Sequence, residues 1–127
     1  MRSRLSLSID DADAILRAAA EAASAGPPVS IAVVDDSGAL LAFRRMDGAR
    51  AYTIELAMQK ARTSAVVGVP TAAVQAAGNR DITAGGLPVV LQSQCVGAVG
   101  VSGTKAEEDV RIASVGAAAM KPRDSLA

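Results

Sequence analysis

Two stretches of β-branched residues, each folded back on itself and each apolar on both sides, constrain this chain more than any other feature in it. Val29 to Asp35 is dense in Val and Ile, Asp35-Asp36-Ser37-Gly38 is a turn in which Gly38 can take positive φ, and Ala39 to Met46 returns as a second strand. A sheet covered on one face alternates polar and apolar residues. These strands are apolar on both faces for most of their length, so helices are expected on both sides of the sheet. Pro88 to Leu91 and Cys95 to Val101 read as a second hairpin across Gln92-Ser93-Gln94.

The covering helices are visible at the usual spacing. Ser8 and Asp11 have the pattern of a capping box with Asp in place of Glu, and Ile9, Ala12, Leu16 and Ala19 recur helically until Gly26-Pro27-Pro28, which predicts a helix over about 9–24. Between Ala51 and Val67, Ile54, Ala57, Met58, Ala61 and Ala65 form one stripe, ended by Gly68 and Pro70. Tyr52, Leu56 and Lys60 form a second stripe at four-residue steps. A short helix is expected over about 71–77, a loop over about 78–86, and a last helix over about 104–120, capped by Thr104 with Glu107. The order is α, β, β, α, short α, β, β, α, a mainly antiparallel sheet with helices on its faces.

A chain of 127 residues suits one domain, residues 1–127, with no repeat or linker to divide it. Ala and Val carry the apolar share and only Phe43 and Tyr52 are aromatic, so the core is expected to be small side chains in close contact. Lys plus Arg equals Asp plus Glu at 13 each, which leaves no long-range field for a nucleic acid or a membrane surface. Two aromatics cannot stack a run of bases either. The single Cys95 excludes an internal disulfide and a multi-cysteine zinc site, and fits a reducing compartment. Arg2 and Arg4 are followed by Ser6, Ser8, Asp10 and Asp11 rather than by an apolar run of secretory length, so a cytoplasmic protein without a signal peptide or a membrane span is expected.

Histidine is absent. Imidazole bases, His-ligated metals and Ser-His-Asp triads are therefore ruled out, and no metal site is expected. The remaining candidates include Arg44, Asp47, Lys60, Arg62, Glu55, Tyr52, Cys95 and Gly85-Gly86. Alternation puts Arg45 on the face of Leu41 and Phe43, and Arg44 with Met46 on the other. Each has an ordinary reading: a solvated strand end for the arginines, a turn for Asp47-Gly48, an apolar filler for Cys95. Lys60 on its mixed helix face would ordinarily snorkel into water. Desolvated among Ala and Val, it would instead have a lowered pKa and serve as a base or an imine-forming amine. The glycines of Gly97, Gly100 and Gly103 lack the spacing of a dinucleotide loop and read as close strand packing, although backbone amides at the following helix start could receive an anion.

Taken together, VSIAVVDDSGALLAFRRMDGA, AMQKARTSA, ITAGGLPVVL and VGAVGVSG with its downstream acidic EED resemble, in order and over nearly the whole chain, the GlcG/HbpS family, which includes the C-terminal domain of PduO-type proteins. The resemblance implies an α+β, profilin-like α/β/α domain with a five-stranded antiparallel sheet flanked by helices, assembled as a dimer, tetramer or octamer. The fifth strand would lie in residues 79–86 or 4–9, where RLSLSI alternates. It also implies a pocket for a small organic ligand, with Arg44, Met46, Gly85 and Gly86 binding it and Lys60 and Asp47 in catalytic roles. Haem is a ligand of the family, but here only Met46, Met58, Met120, Tyr52 and Cys95 could ligate iron, which places small organic anions ahead of it. Two functions follow: a small enzyme of isomerase, hydratase or lyase type acting on an anionic carbonyl compound, or a haem or tetrapyrrole binder or sensor without catalysis.

Overall fold

The computed structural model describes residues 5–120. Ser8 opens α1 (Ile9–Ala23): its hydroxyl accepts from the Asp11 amide while the Asp11 carboxylate accepts from the Ser8 amide, the reciprocal box expected from sequence. There follow β1 (Ser30–Asp35), β2 (Leu40–Arg45), α2 (Tyr52–Val67), α3 (Thr71–Ala76), β3 (Gly86–Leu91), β4 (Gln94–Ser102) and α4 (Ala106–Ala118). The first turn closes as predicted. Asp35 accepts from Ser37 and Ala39 through its carboxylate, and Gly38 has φ +88°. Gly68 ends α2 in the left-handed conformation.

The strands pair antiparallel in the order β2-β1-β4-β3. One face carries Ile31, Val33, Val89, Val99 and Val101, packed under α1 and α4. The other carries Ala32, Val34 and Ala98 against Ala57, Ala61 and Ala65 of α2. Helices on both faces are what two-sided apolar strands require.

The second hairpin turn is two residues, Gln92-Ser93, not three, since Gln94 already pairs with Leu91, and three further expectations need correction. Among the described residues the sheet has four strands, not five. The segment before α1 gives β4 one backbone bond, Leu7 N–H to Val96 O at 3.1 Å, and then turns into the helix at Ser8, which takes its backbone out of strand geometry. Arg4 lies outside the described residues, and residues 79–85 form turns and irregular backbone leading into β3. Second, Leu41 and Phe43 do not share a face. The register shifts opposite Val33 and Val34, so Leu41 packs on the α1/α4 core and Phe43 on the α2 core. Third, Thr104 does not cap α4. The cap residue is Lys105, without a side-chain bond, and the Thr104 amide donates to Asp109 at 3.1 Å.

The small-residue core has a consequence for the rest of the molecule. On the α2 face, a Cβ at Gly100 would lie 2.2 Å from the Ala57 carbonyl oxygen, and one at Gly86 would lie 2.4 Å from that of Lys60. Helix and sheet therefore meet backbone to backbone, with no layer of large side chains between them. This close approach carries the Lys60 side chain to the end of β4.

Candidate functional site

In the β3–β4 ladder Val101 donates its amide to the Gly85 carbonyl at 3.0 Å. Its own carbonyl points to the same side in an antiparallel strand. β3 begins only at Gly86 and Gly85 turns away with φ +128°, so no strand amide reaches that oxygen. The Lys60 ammonium does, at 2.8 Å, and also meets the Asp109 carboxylate at 3.3 Å. Lys60 and Asp109 are each only 3 % exposed. The ordinary reading of Lys60 as a snorkelling side chain does not hold.

Both groups titrate away from their usual ranges. Burial pushes the Lys60 amine down, opposed by the charge of Asp109 and its hydrogen bond. Burial likewise pushes the Asp109 carboxyl up, opposed by the Lys60 charge and by the amides of Thr104 and Gly103. The short contact of Lys60 is to a neutral carbonyl, and its contact to the carboxylate is longer than a strong charge-assisted bond. An ammonium has three donors, so one N–H beyond these two partners is left to face what fills the space beside it.

That space is a cavity of about 300 Å³ between α2, the end of β4 and the start of α4. Tyr52, Leu56 and Lys60 line one wall, the stripe at four-residue steps seen in the sequence. Ser102, Gly103 and Thr104 with Asp109 line another, and Thr83 and Ala84 complete it. Tyr52 stands at the rim, 62 % exposed. The volume is at the small end of ligand pockets.

Of the other expected site residues, Arg44, Met46 and Asp47 do not line this cavity. Arg44 is exposed and pairs with Ile31, whose side chain enters the α1/α4 layer, so Arg44 projects on the side of the sheet opposite α2. Met46 packs against that same layer. Asp47 is exposed in the turn before Gly48, which has φ +90°. Gly85 does touch the site, since a Cβ there would lie 2.5 Å from the Val101 oxygen and 2.9 Å from Lys60 Nζ. Gly86 supports it from below: its amide is taken by the Thr71 hydroxyl at 2.9 Å. Cys95 is remote, with its thiol donating to the Ala65 and Gly97 carbonyls. Asp109 escaped the sequence reading except as part of the acidic EED segment. Its partner lies 49 residues away, and no local pattern predicts that meeting.

The lining does not fit a haem. Of the five candidate iron ligands named from sequence, Tyr52 alone lines the cavity, and no other aromatic or methionine side chain does. Among the described residues no group of three or more Cys, His, Asp or Glu is arranged to hold a metal ion. Among the described residues no helix is long and apolar enough to cross a membrane.

Comparison with known proteins gives the geometry a context. Residues 7–118 match the family model described as haem degrading protein HbpS-like. Protein GlcG of Escherichia coli strain K12 is 39% identical over 114 residues, covering 80% of this chain and 85% of that one. A double mutant of Streptomyces reticuli HbpS superposes with a TM-score of 0.84 at 33% identity, covering 95% of this chain and 91% of the other. The PduOC:heme complex superposes with a TM-score of 0.83 at 27% identity, covering 91% and 95%.

Proposed function

The chain belongs to the HbpS-like family, and from that membership and the buried Lys60 we propose that it binds a small organic anion carrying a carbonyl group in the cavity beside Lys60 and Asp109. The observation that carries this reading is the buried ammonium with two internal acceptors and a third N–H beside an open cavity. A carbonyl oxygen in the cavity accepts that N–H and is polarised by the hydrogen bond from the ammonium. Asp109, with its carboxyl pushed up, accepts or returns a proton at the neighbouring carbon, so an isomerase, hydratase or lyase step lies within reach of the pair. In this reading Asp109 takes the part expected of Asp47.

The probe is 4-oxopentanoate, a ketone and a carboxylate in one small molecule, titrated into purified protein and followed by amide chemical shifts. Saturable shifts at Ser102, Gly103 and Thr104 are expected, and Lys60→Met should abolish them while the circular dichroism spectrum stays unchanged. Equal binding by Lys60→Met, or no saturable shift in the parent protein, overturns the reading.

A second reading, haem or tetrapyrrole binding without catalysis, is favoured by the similarity to the PduOC:heme complex. It predicts a one-to-one Soret shift on haemin titration that Lys60→Met leaves intact. The cavity lining, with Tyr52 as its one aromatic side chain, does not supply walls for a haem.

A further inference from the structure

A second cavity of about 210 Å³ adjoins the first and shares Tyr52 and Gly103 with it. It is bounded by Pro27, Pro28, Gly48, Arg50 and Thr53. The two cavities differ in charge. The first holds a cation and a carboxylate that offset each other, whereas the second has the Arg50 guanidinium and no acidic residue in its lining. Arg50 makes no ion pair with another described residue, in contrast to Arg17 and Arg111, which are paired with Asp13 and Glu108.

Resting on the reading of the Lys60 cavity above, we propose that the adjoining cavity is the seat of the ligand's carboxylate, held by Arg50, with the carbonyl end at Lys60 and the chain between them passing Tyr52. The ligand class is thereby narrowed to oxo acids whose carbonyl and carboxylate are separated by a short carbon chain, rather than 2-oxo acids in which the two groups adjoin. A planar guanidinium fork matches a carboxylate with two parallel N–H···O bonds. The ion pair of the first cavity offers no such surplus charge, so the anionic end gains most at Arg50. Local backbone holds Arg50 at this position: its carbonyl accepts the Thr53 hydroxyl at 2.6 Å, and Thr53 in turn shares a buried hydrogen bond with Ser30 on β1.

The test compares 4-oxopentanoate, 5-oxohexanoate and 6-oxoheptanoate with their methyl esters, on the full chain and on Arg50→Ala and Arg50→Lys. The free acids should bind about three- to fivefold more tightly than the esters, the order expected for one ion pair at an exposed arginine. One chain length should be preferred. Arg50→Ala should erase the difference between acid and ester without weakening the esters, and should remove the salt dependence of acid binding; Arg50→Lys should retain part of both. If the acids keep their advantage in Arg50→Ala while binding still requires Lys60, the carboxylate seat is elsewhere and the Lys60 reading stands. If Lys60→Met binds every probe as the parent does, or no probe binds the parent, both readings fall.

Discussion

Replacing Asp109 with Ala should destabilise the protein by about 4–6 kcal/mol at pH 7, about 3–5 kcal/mol of it the usual cost of leaving one partner of a buried ion pair behind and about 1 kcal/mol the lost acceptor of the Thr104 amide. The structure sets the terms. Lys60 is 3 % exposed, and without Asp109 its ammonium keeps only the Val101 carbonyl at 2.8 Å. The folded variant has two options: bury the charge, or release the proton. Release costs about 1.4 kcal/mol for each pH unit below the free lysine value of 10.5, hence roughly 5 kcal/mol at pH 7 and roughly 2 kcal/mol at pH 9. The cheaper option prevails, so the penalty should fall to no more than about 2 kcal/mol at pH 9, plus about 1 kcal/mol at every pH for the lost acceptor of the Thr104 amide. The sign follows from proton counting. With its Lys60 pKa depressed in the fold, the variant binds fewer protons folded than unfolded, so its stability rises with pH from that depressed value up to 10.5. Urea unfolding of parent and variant at pH 7 and pH 9 measures it. A penalty under about 1 kcal/mol at pH 7, or one that does not shrink by pH 9, would refute the assignment of Lys60 as a buried ammonium held by Asp109. As a control, Lys60→Met with Asp109→Leu removes both charges and should recover most of the loss.

Two further predictions test how the site is built. Gly85→Ala places a Cβ 2.5 Å from the Val101 oxygen at φ +128°, and should cost at least about 3 kcal/mol in urea unfolding and displace Lys60; a near-neutral result would contradict the close packing described. Ser93→Gly should stabilise by about 0.5–1 kcal/mol, because Gln92 and Ser93 both hold positive φ in a two-residue hairpin turn that favours glycine; a lowered thermal midpoint would count against that geometry.

Element order and type were legible in the chain because each rests on local chemistry. Ser8 and Asp11 cap a helix wherever it goes, Gly68 ends one, and Asp35 to Gly38 close a turn with their own side chains and backbone. The second hairpin was placed but its turn was read as three residues. Gln92 and Ser93 lack the Asn-Gly signature, and their positive φ is imposed by the pairing of Leu91 with Gln94. The misread cap of α4 has a similar origin. Thr104 and Glu107 have the right spacing for a box, but Asp109 is drawn to the same amide by a lysine from another element.

The site divides along the same line. Composition alone excluded imidazole chemistry and made a core of small side chains unavoidable, and the four-residue steps of Tyr52, Leu56 and Lys60 already marked one wall of the cavity. That Lys60 is buried rather than solvated, that Asp109 is its partner, and that Arg44 lies across the sheet while Arg50 stands beside the cavity were decided only when the layers closed. The reason is physical. A helix period or a turn is set by neighbours within four residues, whereas the meeting of Lys60 with Asp109 depends on Gly86 and Gly100 letting α2 settle onto the sheet, and on β3 starting one residue too late to pair with the Val101 carbonyl.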